Sequence, residues 1–408
     1  MAKPSKIREV RYTSGTTFLT AYTAANDASW AAGTANKLRV QACDMGGLEY
    51  KGLEDASLQT SMWAKPPNIP SLRVGDIKLS MFAPSGSANT TADPIATLMS
   101  LIMGGLSNPA TKTLSAAAGS TTTTVECVGH GILAGQAVLL GTRGDGRGDG
   151  EVRIVTSVTT DDFTIGMATR QALSASDAIV VGHSTYLDDS TSQQYLSLLI
   201  IGADTGDQVQ ALNAMGGFKL KGVNPGELLS LDMDLKVADW QLVTANPASL
   251  STAAYLGNHP PADRGLGGFF INDVGTTTRV AMKLGSIDID PGLIYAPVND
   301  PTGLNGIGSW IKMPSHPKLS FNAIFAEGMP GLYGDFANTT QVAKHVVFQW
   351  GCSAQRCFAA SLPRLWIDES PGWTDMNGLQ GAKVVAHGDE NTVVTTKLLG
   401  SPIVFHSF

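Results

Sequence analysis

Charge is scarce in this chain. Only 15% of its 408 residues are Asp, Glu, Lys or Arg, against roughly a quarter in ordinary soluble chains. The 28 basic and 35 acidic residues leave a net charge of −7. There is no excess of cations to neutralise phosphates, which excludes a nucleic-acid binder of the basic-patch kind. Cysteine is scarce as well. The four thiols (Cys43, Cys127, Cys352 and Cys357) are too few for a disulfide scaffold, and the Cys-x4-Cys spacing of the last two lacks the second pair that a zinc site needs. They read as ordinary thiols of a protein made in a reducing cytosol. Long apolar runs are missing too. The longest, residues 196–203, falls far short of the roughly 20 residues that cross a bilayer. No apolar stretch follows the basic start at residues 1–12, so neither membrane insertion nor export is expected.

The motifs of common catalysts are also lacking. No Gly-Lys dipeptide occurs, and there is no G-x-S-x-G and no H-E-x-x-H, so a P-loop, a nucleophile elbow and a zincin helix are excluded. No two histidines lie three or four residues apart. The expectation is a protein without catalytic residues, cofactor or metal.

What the chain does have is 43% hydrophobic residues and 45 glycines spread along its length, which excludes a disordered acidic chain. Low charge with much Thr, Gly and Ala fits a surface covered by something else, copies of itself being the simplest candidate. The readable pattern has mostly period two. Leu229, Leu231, Met233, Leu235 and Val237 alternate with Ser230, Asp232, Asp234 and Lys236, a strand with one dry and one wet face. The same alternation runs through Leu38, Val40 and Ala42, Ile77, Leu79 and Met81, Leu319, Phe321 and Ala323, and Val346, Phe348 and Trp350. From Val280 it passes through Met282 and Leu284 and changes phase to Ile287 and Ile289 across Gly285-Ser286, which predicts a bulge. One helix is well punctuated: Asp93 as N-cap, Pro94 at the first position, an Ile95, Leu98, Met99, Ile102 stripe, and Gly104 as the stop. Together these predict a mainly β sandwich or barrel packed by a helix.

Between about 111 and 184 the texture changes to short strands, predicted at 125–128, 136–140, 151–158, 162–165 and 178–181, separated by glycine turns. Such a stretch can fold as a small all-β barrel with a thin core. The flanking regions read as one larger β unit, so residues 111–184 are expected to be an insertion, with 1–110 and 185–408 forming one discontinuous domain. Residues 144–151, Gly-Asp-Gly-Arg-Gly-Asp-Gly-Glu, look like a calcium loop at first sight. Arg147 occupies the middle ligand position, however, and Thr156 stands near the place of the closing Glu. The pairs Asp232/Asp234, Asp288/Asp290 and Asp368/Glu369 have the makings of an acid–base couple, but residues two apart on a strand are also simply its wet face.

Four passages resemble the major tail tube proteins of long-tailed bacteriophages. They are Lys78-Leu79-Ser80-Met81-Phe82-Ala83 followed by the Asp93-Pro94 helix; Gly216-Gly217-Phe218-Lys219-Leu220-Lys221 leading into the 229–237 strand; Phe348-Gln349-Trp350-Gly351 followed by Ser361-Leu362-Pro363-Arg364-Leu365; and the tail with Leu398-Leu399-Gly400-Ser401-Pro402. The 111–184 stretch is similar to small β domains of phage tail proteins, through Gly129-His130-Gly131-Ile132, Gly135-Gln136 and Val155-Thr156-Ser157-Val158. Residues 254–273 carry no such texture. The resemblance implies a tail-tube-type fold of a siphovirus-like, non-contractile tail. Hexameric rings would stack into a hollow tube through which genomic DNA passes without specific binding. The implied partners are other copies of the chain and the tape measure, tail terminator and tail tip proteins, with assembly in the host cytoplasm and residence in the virion tail. On this reading Asp232, Asp234, Asp288 and Asp290 are expected to face the lumen as an acidic band, and the insertion to sit outside the tube. A virion decoration or adhesin protein that binds a host glycan or receptor is the alternative.

Overall fold

The computed structural model describes residues 7–30, 36–53, 69–84, 86–141, 150–189, 193–202, 207–221, 228–253, 269–277, 280–313, 315–324, 341–369, 372–376, 379–392, 394 and 396–408. The predicted turn at 144–150 falls mostly outside them. Among the described residues the chain is mainly β and its strand pairs are antiparallel, with nineteen strands joined in one hydrogen-bonded network and six in a second sheet.

The helix, Pro94–Met103, forms as its punctuation dictates. Asp93 is extended, and its Oδ1 accepts the backbone N–H groups of Ile95 and Ala96, both at 2.8 Å. Gly104 stops the helix at φ +104° and donates to Ser100 O, a left-handed geometry that side chains resist. Lys312 Nζ donates to Met103 O at 2.9 Å, a cation placed at the negative end of the helix dipole. The apolar stripe is buried in the main core.

That core is the dry side of a seven-strand array. Taken in spatial order the strands are Val40–Asp44, Ile69–Phe82, Ser230–Val237, Gln208–Lys221, Val280–Asp290, Lys318–Ile324 and Leu379–Gly388. Leu79, Met233, Phe218, Ile289, Leu319 and Ala386 point inward. The predicted bulge falls where expected, between Leu284 and Ser286. One expectation fails: Leu38, Val40 and Ala42 do not share a face. Lys37–Leu38 pairs with Glu9–Gly15, whereas Val40–Asp44 pairs with Ile69–Phe82 through a bulge. The phase therefore slips, and Cys43 rather than Ala42 packs against the core.

Gln208–Lys221 serves two neighbourhoods. Its first half lies between Tyr195–Ile201 and Asp239–Leu242, and its second half pairs with Ser230–Val237. The changeover is at Asn213, which is fully buried at φ +53°. Its side chain brackets Leu19, accepting from Leu19 N at 3.1 Å and donating to Leu19 O at 2.7 Å, while its carbonyl accepts from Trp310 Nε1 at 2.7 Å. Just beyond, a Cβ on Gly216 would lie 1.9 Å from the Asp234 carbonyl oxygen, so only glycine lets the strands close.

The chain leaves the large sheet on Gly104–Ser107 and returns on His183–Leu187, and these two strands pair with each other. Between them, Thr113–Ser115, Thr124–Glu126, Ala137–Gly141, Gly150–Val158, Asp162–Ile165 and Ala178–Val181 form the separate six-strand sheet. The first of these, Thr-Leu-Ser, is too short and polar to predict. His183 and Ser184 belong to the large sheet. The six-strand sheet is dry on both faces, which period two permits. Val138, Leu140, Val155, Ile179 and Val181 meet Phe163 and Ile165 in a local core. Leu139, Val152, Ile154 and Val180 point the other way and pack on Phe270, Val347, Ala359 and Phe408 of the large sheet. The Gln349 side chain stitches the seam, accepting from Val152 N at 2.9 Å and donating to Gly150 O at 2.8 Å. Arg153 pairs with Glu151 at 2.9 Å and lies 4.5 Å over the Phe270 ring. The core is not thin, because half of it is borrowed.

Two outcomes follow. Asn213→Ala is expected to cost about 2–4 kcal/mol in urea unfolding, from the left-handed backbone and the lost side-chain bonds. Asn213→Gly, which keeps the backbone freedom, is expected to cost clearly less, and equal losses would count against the strain argument. Replacing residues 113–181 with a Gly-Ser linker is expected to lower Tm and raise binding of a hydrophobic dye. It bares Phe270, Val347 and Phe408, each worth about 1.5–3 kcal/mol when buried. An unchanged Tm without dye binding would show that the seam carries no stability.

Candidate functional site

The wet side of the seven-strand array is the most organised polar surface among the described residues. Dry-side residues alternate with wet-side ones, so the buried stripe of the core places Asp44, Asp76, Asp232, Asp234, Asp288 and Asp290 together on the other face. The structure thus brings all four acids expected in the lumen onto one surface. It does not leave them as an acidic band. The same register adds Lys78, Lys219, Lys236, Lys318 and Lys383 to this face, so carboxylates and ammonium groups share it.

Four of these lysines face a carboxylate across a strand pair, whereas Lys383 lies opposite Asn322 and Gly372, and Asp288 opposite Ser320. Lys78 lies opposite Asp44 on one side and Asp234 on the other. Asp76 lies opposite Lys236, Asp232 opposite Lys219, and Asp290 opposite Lys318. Directly opposed side chains in antiparallel strands have Cβ atoms about 4.5–5.5 Å apart, and opposite charges there attract. One pair closes fully, Lys219 Nζ to Asp290 Oδ2 at 2.8 Å, and Ser80 Oγ donates to Asp232 Oδ1 at 2.8 Å. Lys219 is 63% exposed, so such contacts contribute at most about 1 kcal/mol each to stability. Their effect is on the potential of the surface.

The other carboxylate pair behaves differently. Asp368 Oδ1 is hydrogen-bonded to His387 Nδ1, and the His387 ring meets His316 edge-on at 5.6 Å. Glu369 is exposed. Lys318 lies opposite His387 in register, so this cluster borders the charge-paired face. The thiols are free. Cys357 is buried in the seam beneath the six-strand sheet, and burial pushes its thiol well up, which makes it a poor nucleophile.

Away from this surface the fold encloses polar groups whose convergence no sequence signal marked. Asp93, legible only as a helix cap, comes together with Lys112 and His183. Burial raises Asp93 to about 7 despite its two helix N–H donors, and lowers Lys112 to about 8. Burial, with Lys112 nearby, pushes His183 down to about 4. His406 lies between Ser184 Oγ and Ser361 Oγ, each at 2.9 Å, and burial takes it down to about 3. Enclosure of the ring, with the Arg153 guanidinium beside it, lowers His345 to about 4.

These shifts predict acid lability. The three histidines fold neutral with depressed pKa values, so their contribution is complete above the unfolded value of about 6.5 and is lost as pH falls toward 4. Asp93, raised in the fold, works in the opposite direction between about 4 and 7 and offsets one of them. The net of two protons corresponds to a loss of about 2–3 kcal/mol per pH unit between 6.5 and 4. Denaturant titrations at pH 6.5 and 5.5 measure it, and equal midpoints would refute it. Compared with known proteins, the chain matches no family model and no curated protein.

Proposed function

We propose that the chain is a structural, non-catalytic subunit of a virion tail tube of the non-contractile type. Copies form rings, rings stack into a hollow tube, and the charge-paired sheet face lines the bore through which genomic DNA passes. The observation that carries this reading is that face: a broad antiparallel array, dry on one side against a helix-packed core, and on the other polar, with lysines and carboxylates opposed across the strands around an open hollow of about 560 Å³. A conduit needs such a surface, because a cationic wall would hold a polyanion by releasing its counterions.

Self-assembly has separate support. Among the described residues the hairpin of Ile294–Leu304 and Ile307–Met313 pairs only with itself, and Ile294, Ile311 and Met313 on its outer side are exposed. Trp373, on the strand Gly372–Met376, is 61% exposed. Apolar surface of this kind on a weakly charged chain is what copies would cover. The six-strand sheet, which leaves and rejoins the large sheet on adjacent strands, reads as an inserted domain on the outer wall, since a domain of that bulk would obstruct a bore. The tape measure, terminator and tip proteins are the partners such a tube requires.

Negative-stain electron microscopy of the purified chain at increasing concentration tests the proposal. Rings with a central hole, or tubes built from them, are the expected result. A monomer that stays monodisperse to high concentration and binds a glycan on an array would overturn it in favour of an adhesin.

A further inference from the structure

The charge-paired face raises a question of its own: what its lysines would do without the acids opposite them. Lys78, Lys236, Lys219 and Lys318 lie on strands spanning five neighbours of the array. At about 4.8 Å between strands this spreads the four ammonium groups over about 19 Å. That breadth suits contacts to several phosphates of a duplex at once. Each of the four has a carboxylate directly opposite it in register. A phosphate that approaches one of these lysines meets its carboxylate at nearly the same distance, well within the screening length of about 8–10 Å. The phosphate is then not neutralised and its condensed counterions stay in place, which removes the main source of affinity for duplex DNA.

We infer that this sheet face is a duplex-DNA-binding surface held silent by its own cross-strand carboxylates. The acids act locally, one lysine at a time, rather than as a repelling band. The inference rests on the tube reading only for its biological use, which is to let DNA slide without sticking. The chemistry stands on the register alone. It also explains why both signs of charge are kept on a face where a plain Ser/Thr surface would be equally wet.

The experiment uses the full chain and a fluorescein-labelled 24-bp duplex, with anisotropy read at 50 and 200 mM NaCl. The wild type is expected to show no saturable binding. The variant Asp44→Asn/Asp232→Asn/Asp234→Asn/Asp290→Asn keeps side-chain size and frees Lys78, Lys219 and Lys318. It is expected to bind at 50 mM salt and to lose about 40-fold in affinity at 200 mM, the dependence of three phosphate contacts. Adding Lys78→Gln, Lys219→Gln and Lys318→Gln to it is expected to abolish binding. The exchange Asp76→Lys/Lys236→Asp, which preserves a pair with reversed polarity, is expected to stay silent. If the quadruple variant does not fold, Asp290→Asn alone is read instead, with an expected salt effect of about 3–4-fold for the one phosphate that Lys318 then meets. A folded acid-to-amide variant that ignores the duplex overturns the inference. So does a wild type that already binds with the same salt dependence. Micrographs of the same samples separate the two readings: rings without the DNA switch refute this inference alone, and the switch without rings refutes the tube alone.

Discussion

The structure depends on one strand being shared between two neighbourhoods. Gln208–Lys221 is long enough to belong to both, but a straight strand would not turn from Tyr195–Ile201 toward Ser230–Val237. The turn is made by a single buried left-handed Asn213 whose side chain and carbonyl are all bonded. A polar residue with no Cβ branch is suited to this place, because its side-chain amide substitutes for the backbone bonds that the bend removes. Downstream of the bend, Gly216 admits the close approach of Asp234. That approach sets the register in which Lys219 meets Asp232, and hence the pairing of charges across the wet face.

How much of this was legible depends on how far apart in sequence the interacting groups lie. The helix Pro94–Met103 was readable in full, because cap, first-turn proline, stripe and stop are all within a dozen positions. Ser230–Val237 was readable because alternation is a property of one strand. Which lysine stands opposite which aspartate was not, since Lys78, Lys219 and Lys318 arrive from three separate strands and a slip of one residue would send each to the other face. The acids were therefore visible and their partners were not. The 37–44 region misled for a related reason: a bulge reset the phase inside what looked like a single alternating run.

The six-strand sheet shows the same limit. Five of its six strands could be placed from local turns and short apolar runs, but its underside could not, because Leu139 or Val152 looks no different whether it fills a private core or a shared one. The buried histidines were equally silent. His406 reads as one residue in an apolar tail, and only the convergence of Ser184 and Ser361 on its two ring nitrogens explains how it is accommodated.

The last strand, Val404–Ser407, lies between His183–Leu187 and Phe358–Ile367, pairing with both. A ribosome makes these partners long before it makes the strand that fills the gap. Until Val404–Ser407 emerges, the growing chain therefore carries two facing, unsatisfied strand edges in the middle of its main sheet. Glu9–Gly15 likewise waits for Tyr195–Ile201 to appear. Closure of such non-local pairings is slow, and open edges invite pairing with other nascent chains. For a protein whose mature form is proposed to join its own copies, this ordering keeps the complete β framework, and any surface that depends on it, from existing before that strand has been made.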